Sequence, residues 1–164
     1  MQILIEELNG GLPDWNEFTR LIIRLVAAMF LGAIIGYERE GAGKAAGLRT
    51  HMLVAMGSTL FVIGCAAAEM SLEGLSRVIQ GIATGIGFIG AGAILKRRSE
   101  REIEGLTTAA GVYMTAAAGV AVGLGQLGLA ALSVFLTWVV LALLGFVRAR
   151  ITKDNARSVG GAGR

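Results

Sequence analysis

The chain has 164 residues, of which 54% are hydrophobic and only 16% charged, with 25 glycines, one Cys, one His and a formal net charge of +3. Soluble domains carry about 25% charged residues, so this composition excludes an ordinary soluble domain, and it equally excludes a disordered tail, a disulfide scaffold and a Cys/His zinc module. A mean hydropathy of +0.67 leaves a small integral membrane protein.

The charge-free runs place the elements. Residues 21–37 carry a single charge, Arg24; residues 52–68 and 78–95 carry none; and from Gly105 to Val147 there is no Asp, Glu, Lys or Arg. A bilayer core is crossed by about 20 apolar helical residues, so the last run holds two helices joined at the Gly-rich segment 123–128. The pattern predicts an all-α, polytopic transmembrane bundle of five spans, about 18–37, 48–68, 78–96, 106–123 and 127–147, in one domain over 1–150, with a short basic tail at 151–164. Helix is the state expected because backbone polar groups in hydrocarbon must be satisfied within the segment. Glu6, Glu7, Asp14 and Glu17 precede the first span where a cleavable signal would be basic, and Trp15 beside Pro13 suits an interface.

Twelve of the fifteen Lys and Arg residues fall after spans one, three and five: Arg39, Lys44, Arg49; Lys96, Arg97, Arg98, Arg101; Arg148, Arg150, Lys153, Arg157, Arg164. The positive-inside rule then expects a cytoplasmic C-terminus and an external N-terminus, an odd number of crossings. The pI near 9.5 thus reflects topology and anionic headgroups, and no basic stretch is interleaved with stacking aromatics as a nucleic-acid site would be.

Small residues recur where helices would meet. In span three, Gly81, Gly85 and Gly92 fall within about 40° of one another on a helical wheel, with Gly87 and Gly90 roughly opposite. Two smooth faces make that helix the expected centre of the bundle. Span one offers Gly32 and Gly36, and span four offers Gly111, Thr115, Gly119 and Gly123 at four-residue spacing. Close packing is the simpler reading of 85–92, and local unwinding that exposes carbonyls to an ion or substrate is the sharper one.

Polar residues inside the spans need partners. Arg24, well inside span one, must snorkel outward beside Arg20 or pair with Gln80, Glu17, Glu69 or Glu73. At the opposite side Glu38, Arg39 and Glu40 end span one, Arg49, Thr50 and His51 begin span two, and Thr107 and Thr108 begin span four. Free N–H groups at the starts of spans two and four favour a carboxylate such as Glu38 or Glu40, or an anion. Capping and salt bridging explain the cluster without a ligand. His51 as a pH sensor is the alternative to a structural histidine, and Cys65 reads as packing.

Three segments carry a resemblance. Glu38-Arg39-Glu40 with Lys44-Ala-Ala-Gly-Leu-Arg-Thr-His51, the run Gly85-Ile-Gly-Phe-Ile-Gly-Ala-Gly92 preceded by Gln80, and Gly105-Leu-Thr-Thr-Ala-Ala110 resemble, in order, the signatures of the MgtC/SapB family. The resemblance covers roughly residues 20–125. It implies a multi-pass protein of the bacterial inner membrane, associated with growth under magnesium limitation and, in some pathogens, with survival inside host cells. The family's older label as a magnesium-transport ATPase component finds no ATP-binding loop or phosphorylated Asp here; the only Asp residues are Asp14 and Asp154. Tyr113 stands where many members have Trp, and longer members continue into a soluble C-terminal domain, so function is expected to reside in the bundle.

Two functions fit. One is a non-enzymatic regulator or interaction protein acting by lateral contact of Gly-rich helices, in a homodimer, another homo-oligomer or another membrane complex, with no cofactor or metal. The other is a small transporter or ion pathway with a site around Arg24, Gln80 and span three, against which stands the lack of Asp or Glu in spans two to five, since hard cations favour carboxylate oxygens. No catalytic nucleophile, base and orienting group can be assembled from one Cys, one His and scattered hydroxyls.

Overall fold

A computed structural model describes residues 14–96 and 103–143. Residues of the amino-terminal segment before Asp14, the basic residues Arg97, Arg98 and Arg101, the end of the fifth span beyond Leu143 and the tail 151–164 lie outside the described residues. Within them the chain is helical: α1 (Trp15–Gly41), α2 (Leu48–Ala67), α3 (Leu72–Ala93), α4 (Leu106–Gly123) and α5, described over Leu127–Leu143. A short ladder, β1 (Leu95–Lys96) against β2 (Ile103–Glu104), joins α3 to α4, pairing Leu95 with Glu104 and Lys96 with Ile103 in antiparallel register. Among the described residues three helices, α1, α2 and α4, are long and apolar enough to cross a membrane.

Local chemistry sets the helix ends. α1 has 27 residues, about 40 Å at 1.5 Å per residue, and so exceeds the roughly 30 Å hydrocarbon core. α3 begins six residues before the charge-free run because Ser71 caps it, its hydroxyl accepting from the Gly74 N–H at 3.2 Å, and Glu73 lies in the first turn where the helix dipole favours an anion. Arg77 is tolerated there because Glu73, one turn earlier, pairs with it at 2.5 Å on the exposed surface. α3 stops at Ala93, where Ile94 turns extended into β1. Gly105 opens α4 at φ +97, and a Cβ at that position would lie 2.0 Å from the Ala93 carbonyl oxygen, so only glycine fits the turn. α4 ends in a Schellman motif: Gly125 takes φ +81, its N–H bonds Val122 O at 2.9 Å, and the Gln126 N–H bonds Ala121 O at 2.9 Å.

Helices α1, α2 and α4 form the centre, with α2 antiparallel to α1 and parallel to α4. Their backbones approach at glycines: a Cβ on Gly32 would lie 2.6 Å from His51 O, on Gly36 2.7 Å from Leu48 Cα, on Gly119 2.4 Å from Ala55 O, and on Gly123 2.6 Å from Val62 Cβ. Small residues at a seam let helix backbones come within reach of dispersion and hydrogen bonding, which is the source of association in lipid. Ala28, Ala55, Ala121, Val122 and Ala130 form one buried cluster here, and Ile35, Ala118 and Val134 a second; Ala130 and Val134 bring α5 into them.

The expectation that span three is the centre is therefore corrected. α3 buries only Ile86 and Gly90, packing Gly90 against Ala109 of α4, whereas α4 buries ten residues. The reason is bulk: α4 is built almost wholly of Ala, Gly, Thr and Val, while α3 interrupts its glycines with Phe88 and Ile89. The unwinding of 85–92 is also corrected, since α3 is a continuous helix through Ala93.

Substitution should separate the two glycine sets. Gly119→Ala is expected to lower stability by about 1–3 kcal/mol through overpacking against Ala55, whereas Gly85→Ala, whose Cβ meets nothing within 4 Å, should leave it unchanged or raise it slightly. Thermal unfolding in detergent reads both; equal losses would contradict the assignment of the seam.

Candidate functional site

Polar groups gather at the end of the bundle where α1 finishes and α2 and α4 begin. Arg39, in the last turn of α1, is 4% exposed and pairs through Nε with the neighbouring Glu38 carboxylate. A cation in a last turn complements the negative end of the helix dipole. Glu40 reaches across the loop: its Oε2 accepts from the Leu48 N–H at 2.8 Å and so caps α2, whose own N-cap residue is Gly47 and has no side chain. A Cβ at Gly47 would sit 2.6 Å from that oxygen, so the glycine makes room for the cap. The sequence expectation of a carboxylate at this helix start is met by Glu40, while Glu38 goes to Arg39.

His51 lies one turn inside α2 and is fully buried. Its Nδ1 is 2.7 Å from Thr115 Oγ1, and that hydroxyl donates to Gly111 O at 2.9 Å. Gly36 of α1 and Gly111 of α4 flank the ring, a Cβ at each falling 3.1 Å from His51 Cβ and 3.6 Å from Cε1 respectively. Nε2 has no hydrogen-bond partner among the described residues. Two turns further along, Thr59 donates to Gly119 O at 2.7 Å, a second polar tie between α2 and α4. Threonines at such seams bond across helices because hydrocarbon offers no water to compete.

The remaining predicted residues divide. Thr108 is buried at the same end as His51, Thr50 is half-buried, and Arg49 and Thr107 are exposed. Cys65 is buried, and its thiol faces Phe61 O at 3.2 Å. No group of three or more His, Cys, Asp or Glu among the described residues is arranged to hold a metal ion.

Arg24 marks the opposite end, and its expected partners are corrected. Nη1 donates to Gly123 O at 3.0 Å, and the guanidinium lies against Gly125, where a Cβ would come within 2.8 Å of Nη2. It thus closes the carbonyl end of α4, where last-turn oxygens lack helical donors and the dipole is negative. Gln80 is not part of that arrangement. It is exposed on α3, with its backbone oxygen accepting from Thr84. A side chain bonded to a backbone carbonyl, as Arg24 and Thr59 both are, leaves no signature in sequence, whereas Thr115 stood out as a member of the small-residue face of span four.

Arg24→Ala is expected to reduce stability by about 1.5–3 kcal/mol, the range for hydrogen bonds to charged groups, with Arg24→Lys recovering part of it. Glu40→Ala should cost about 1 kcal/mol by uncapping α2. Thermal unfolding of the purified chain checks both, and a wild-type midpoint for Arg24→Ala would overturn the capping role.

Comparison with known proteins identifies the family. The MgtC family matches residues 25–150. Protein SrpB of Synechococcus elongatus is 46% identical over 144 residues, covering 81% of this chain and 78% of SrpB. YhiD of Escherichia coli K12, whose name proposes a magnesium transporter, is 43% identical over 141 residues, covering 82% of this chain and 65% of YhiD. Protein MgtC of Salmonella typhimurium is 44% identical over 105 residues, covering 64% of this chain and 44% of MgtC, so this chain spans under half of that relative's length. No solved structure matches. With a family match over most of its length and relatives above 40% identity, the chain belongs to the MgtC family.

Proposed function

We propose that the chain is a five-span protein of the bacterial inner membrane, N-terminus outside and C-terminus cytoplasmic, that works without catalysis by lateral contact of α3 with another membrane helix. In this reading it regulates or partners other components during adaptation to magnesium limitation or host stress. The name of its relative YhiD supports the magnesium context.

One observation carries the reading. Four glycines of α3, Gly81, Gly85, Gly87 and Gly92, would meet nothing within 4 Å if given a Cβ. Their neighbours Gln80, Thr84 and Ala91 are exposed, and Phe88 is 84% exposed. A glycine facing lipid weakens the helix and offers little dispersion, but against a second helix the same glycines permit close backbone approach and Gln80 or Thr84 can bond across it. Gly32 and Gly36 of α1 and Gly119 and Gly123 of α4 already serve contacts within the chain; the four open glycines of α3 are left for contact outside it.

Transport has less support. Arg24 and Gln80 belong to separate places, α3 is unbroken, and α2, α4 and the described part of α5 contain no Asp or Glu to take a hard cation.

Crosslinking in native membranes should yield homo-oligomers or adducts with another membrane protein, reduced severalfold by Gly81→Leu with Gly85→Leu, while thermal stability of the purified chain holds and growth at low magnesium falls. Monomer alone under all conditions would contradict the proposal. So would gradient-driven magnesium flux in liposomes that Arg24→Ala or Glu38→Ala abolishes.

A further inference from the structure

We infer that His51 is a proton-binding site whose occupancy opposes closure of the seam between α1, α2 and α4. The inference goes beyond lateral contact by α3 and does not depend on it.

The imidazole is fully buried, and its two nitrogens are treated unequally. Nδ1 is held by Thr115, whereas Nε2 has no hydrogen-bond partner among the described residues. An unpaired buried polar atom is destabilising, and replacing His51 by an apolar residue would remove that cost, so the ring is an expensive way to fill a seam. What could use Nε2 is limited by space. The atom is buried, with Gly111 of α4 beside Cε1 of the ring and Gly36 of α1 beside the His51 Cβ. A metal ion or a water needs volume and further donors; a proton needs neither.

Charge decides what the proton does. The groups facing His51 are Arg39 and Glu38 of α1, and the Ala46 carbonyl from the loop before α2, which does not reach hydrogen-bonding geometry with Nε2. α4 contributes no charged residue between Leu106 and Gly123, and Arg49 of α2 is exposed. Protonation converts Nε2 into an N–H donor without an aligned acceptor and places a second cation beside Arg39. The imidazolium is relieved when Glu38 turns from Arg39 towards it or when water enters, and both require the helix ends around Gly32, Gly36 and Gly111 to part. Proton binding and seam closure are therefore linked: whatever proton the ring gains from the aqueous side it holds in a looser bundle.

His51 is the only histidine in the chain, which makes the test direct. The full chain, labelled with nitrogen-15 in its imidazole, is placed in phospholipid vesicles and titrated from about pH 8 to about pH 5, following the ring resonances by NMR and amide exchange of residues 47–55 and 107–115 by mass spectrometry. The expected result is passage of the ring from singly to doubly protonated, with the protection factors of both segments, corrected for the intrinsic pH dependence of amide exchange, falling about tenfold over the same interval. His51→Asn, which can still bond Thr115 but lacks Nε2, should make those protection factors independent of pH. Arg39→Gln provides a second test should the asparagine variant fail to fold: removing the neighbouring cation should displace the step along the pH axis. A ring that keeps one protonation state throughout, an exchange step that persists in His51→Asn, or a step that stays in place in Arg39→Gln would overturn the inference.

Discussion

The structure depends on how closely α1 and α4 can lie against α2. At Gly36 and Gly119 a single added carbon would fall 2.7 Å from Leu48 Cα and 2.4 Å from Ala55 O, so the seam exists only because those positions have no side chain. Lipid supplies no hydrophobic force to drive helices together, and association comes from backbone-to-backbone dispersion and the hydrogen bonds that closeness allows. Thr59 reaches Gly119 O and His51 reaches Thr115 because the helices are that near. Arg24 reaches the end of α4 for the same reason.

Each end of this three-helix core is closed by charge placed against a helix terminus. Glu40 meets the N–H end of α2 and Arg24 meets the carbonyl end of α4, both at the sign the dipole favours. Arg39 sits at the carbonyl end of α1 with Glu38 beside it. Charged groups that would be costly in a bilayer are thereby spent on main-chain atoms lacking partners. The helix left outside is α3, joined to the core mainly through α4, and its open glycine face is what the proposed function uses.

Much of this was legible in sequence. The charge-free runs located the helices because hydrocarbon excludes charge, and the starts of α2, α4 and α5 fell where expected, at Leu48, Leu106 and Leu127. The start of α3 was missed because Glu73 and Arg77 looked like loop residues, although Ser71 followed by an acid is a capping signal. The order of packing was not legible. Glycine spacing shows that a face is smooth but not whether a neighbour inside the chain occupies it, so the glycines of α3 and of α4 looked alike. The partner of Arg24 was hidden for a related reason: side-chain partners can be counted in a sequence, but a free carbonyl at a helix end becomes visible only with the fold.

The central claim is that α4, and not α3, lies against α1. Paired-cysteine crosslinking in membranes, on a Cys65→Ser background, tests it directly. Ala28 and Val122 belong to one buried cluster, so cysteines at these positions should join within a single chain, while cysteines at Ala28 and Thr84 should not. The reverse outcome, a bond between positions 28 and 84 with none between 28 and 122, would put α3 at the centre and contradict the account.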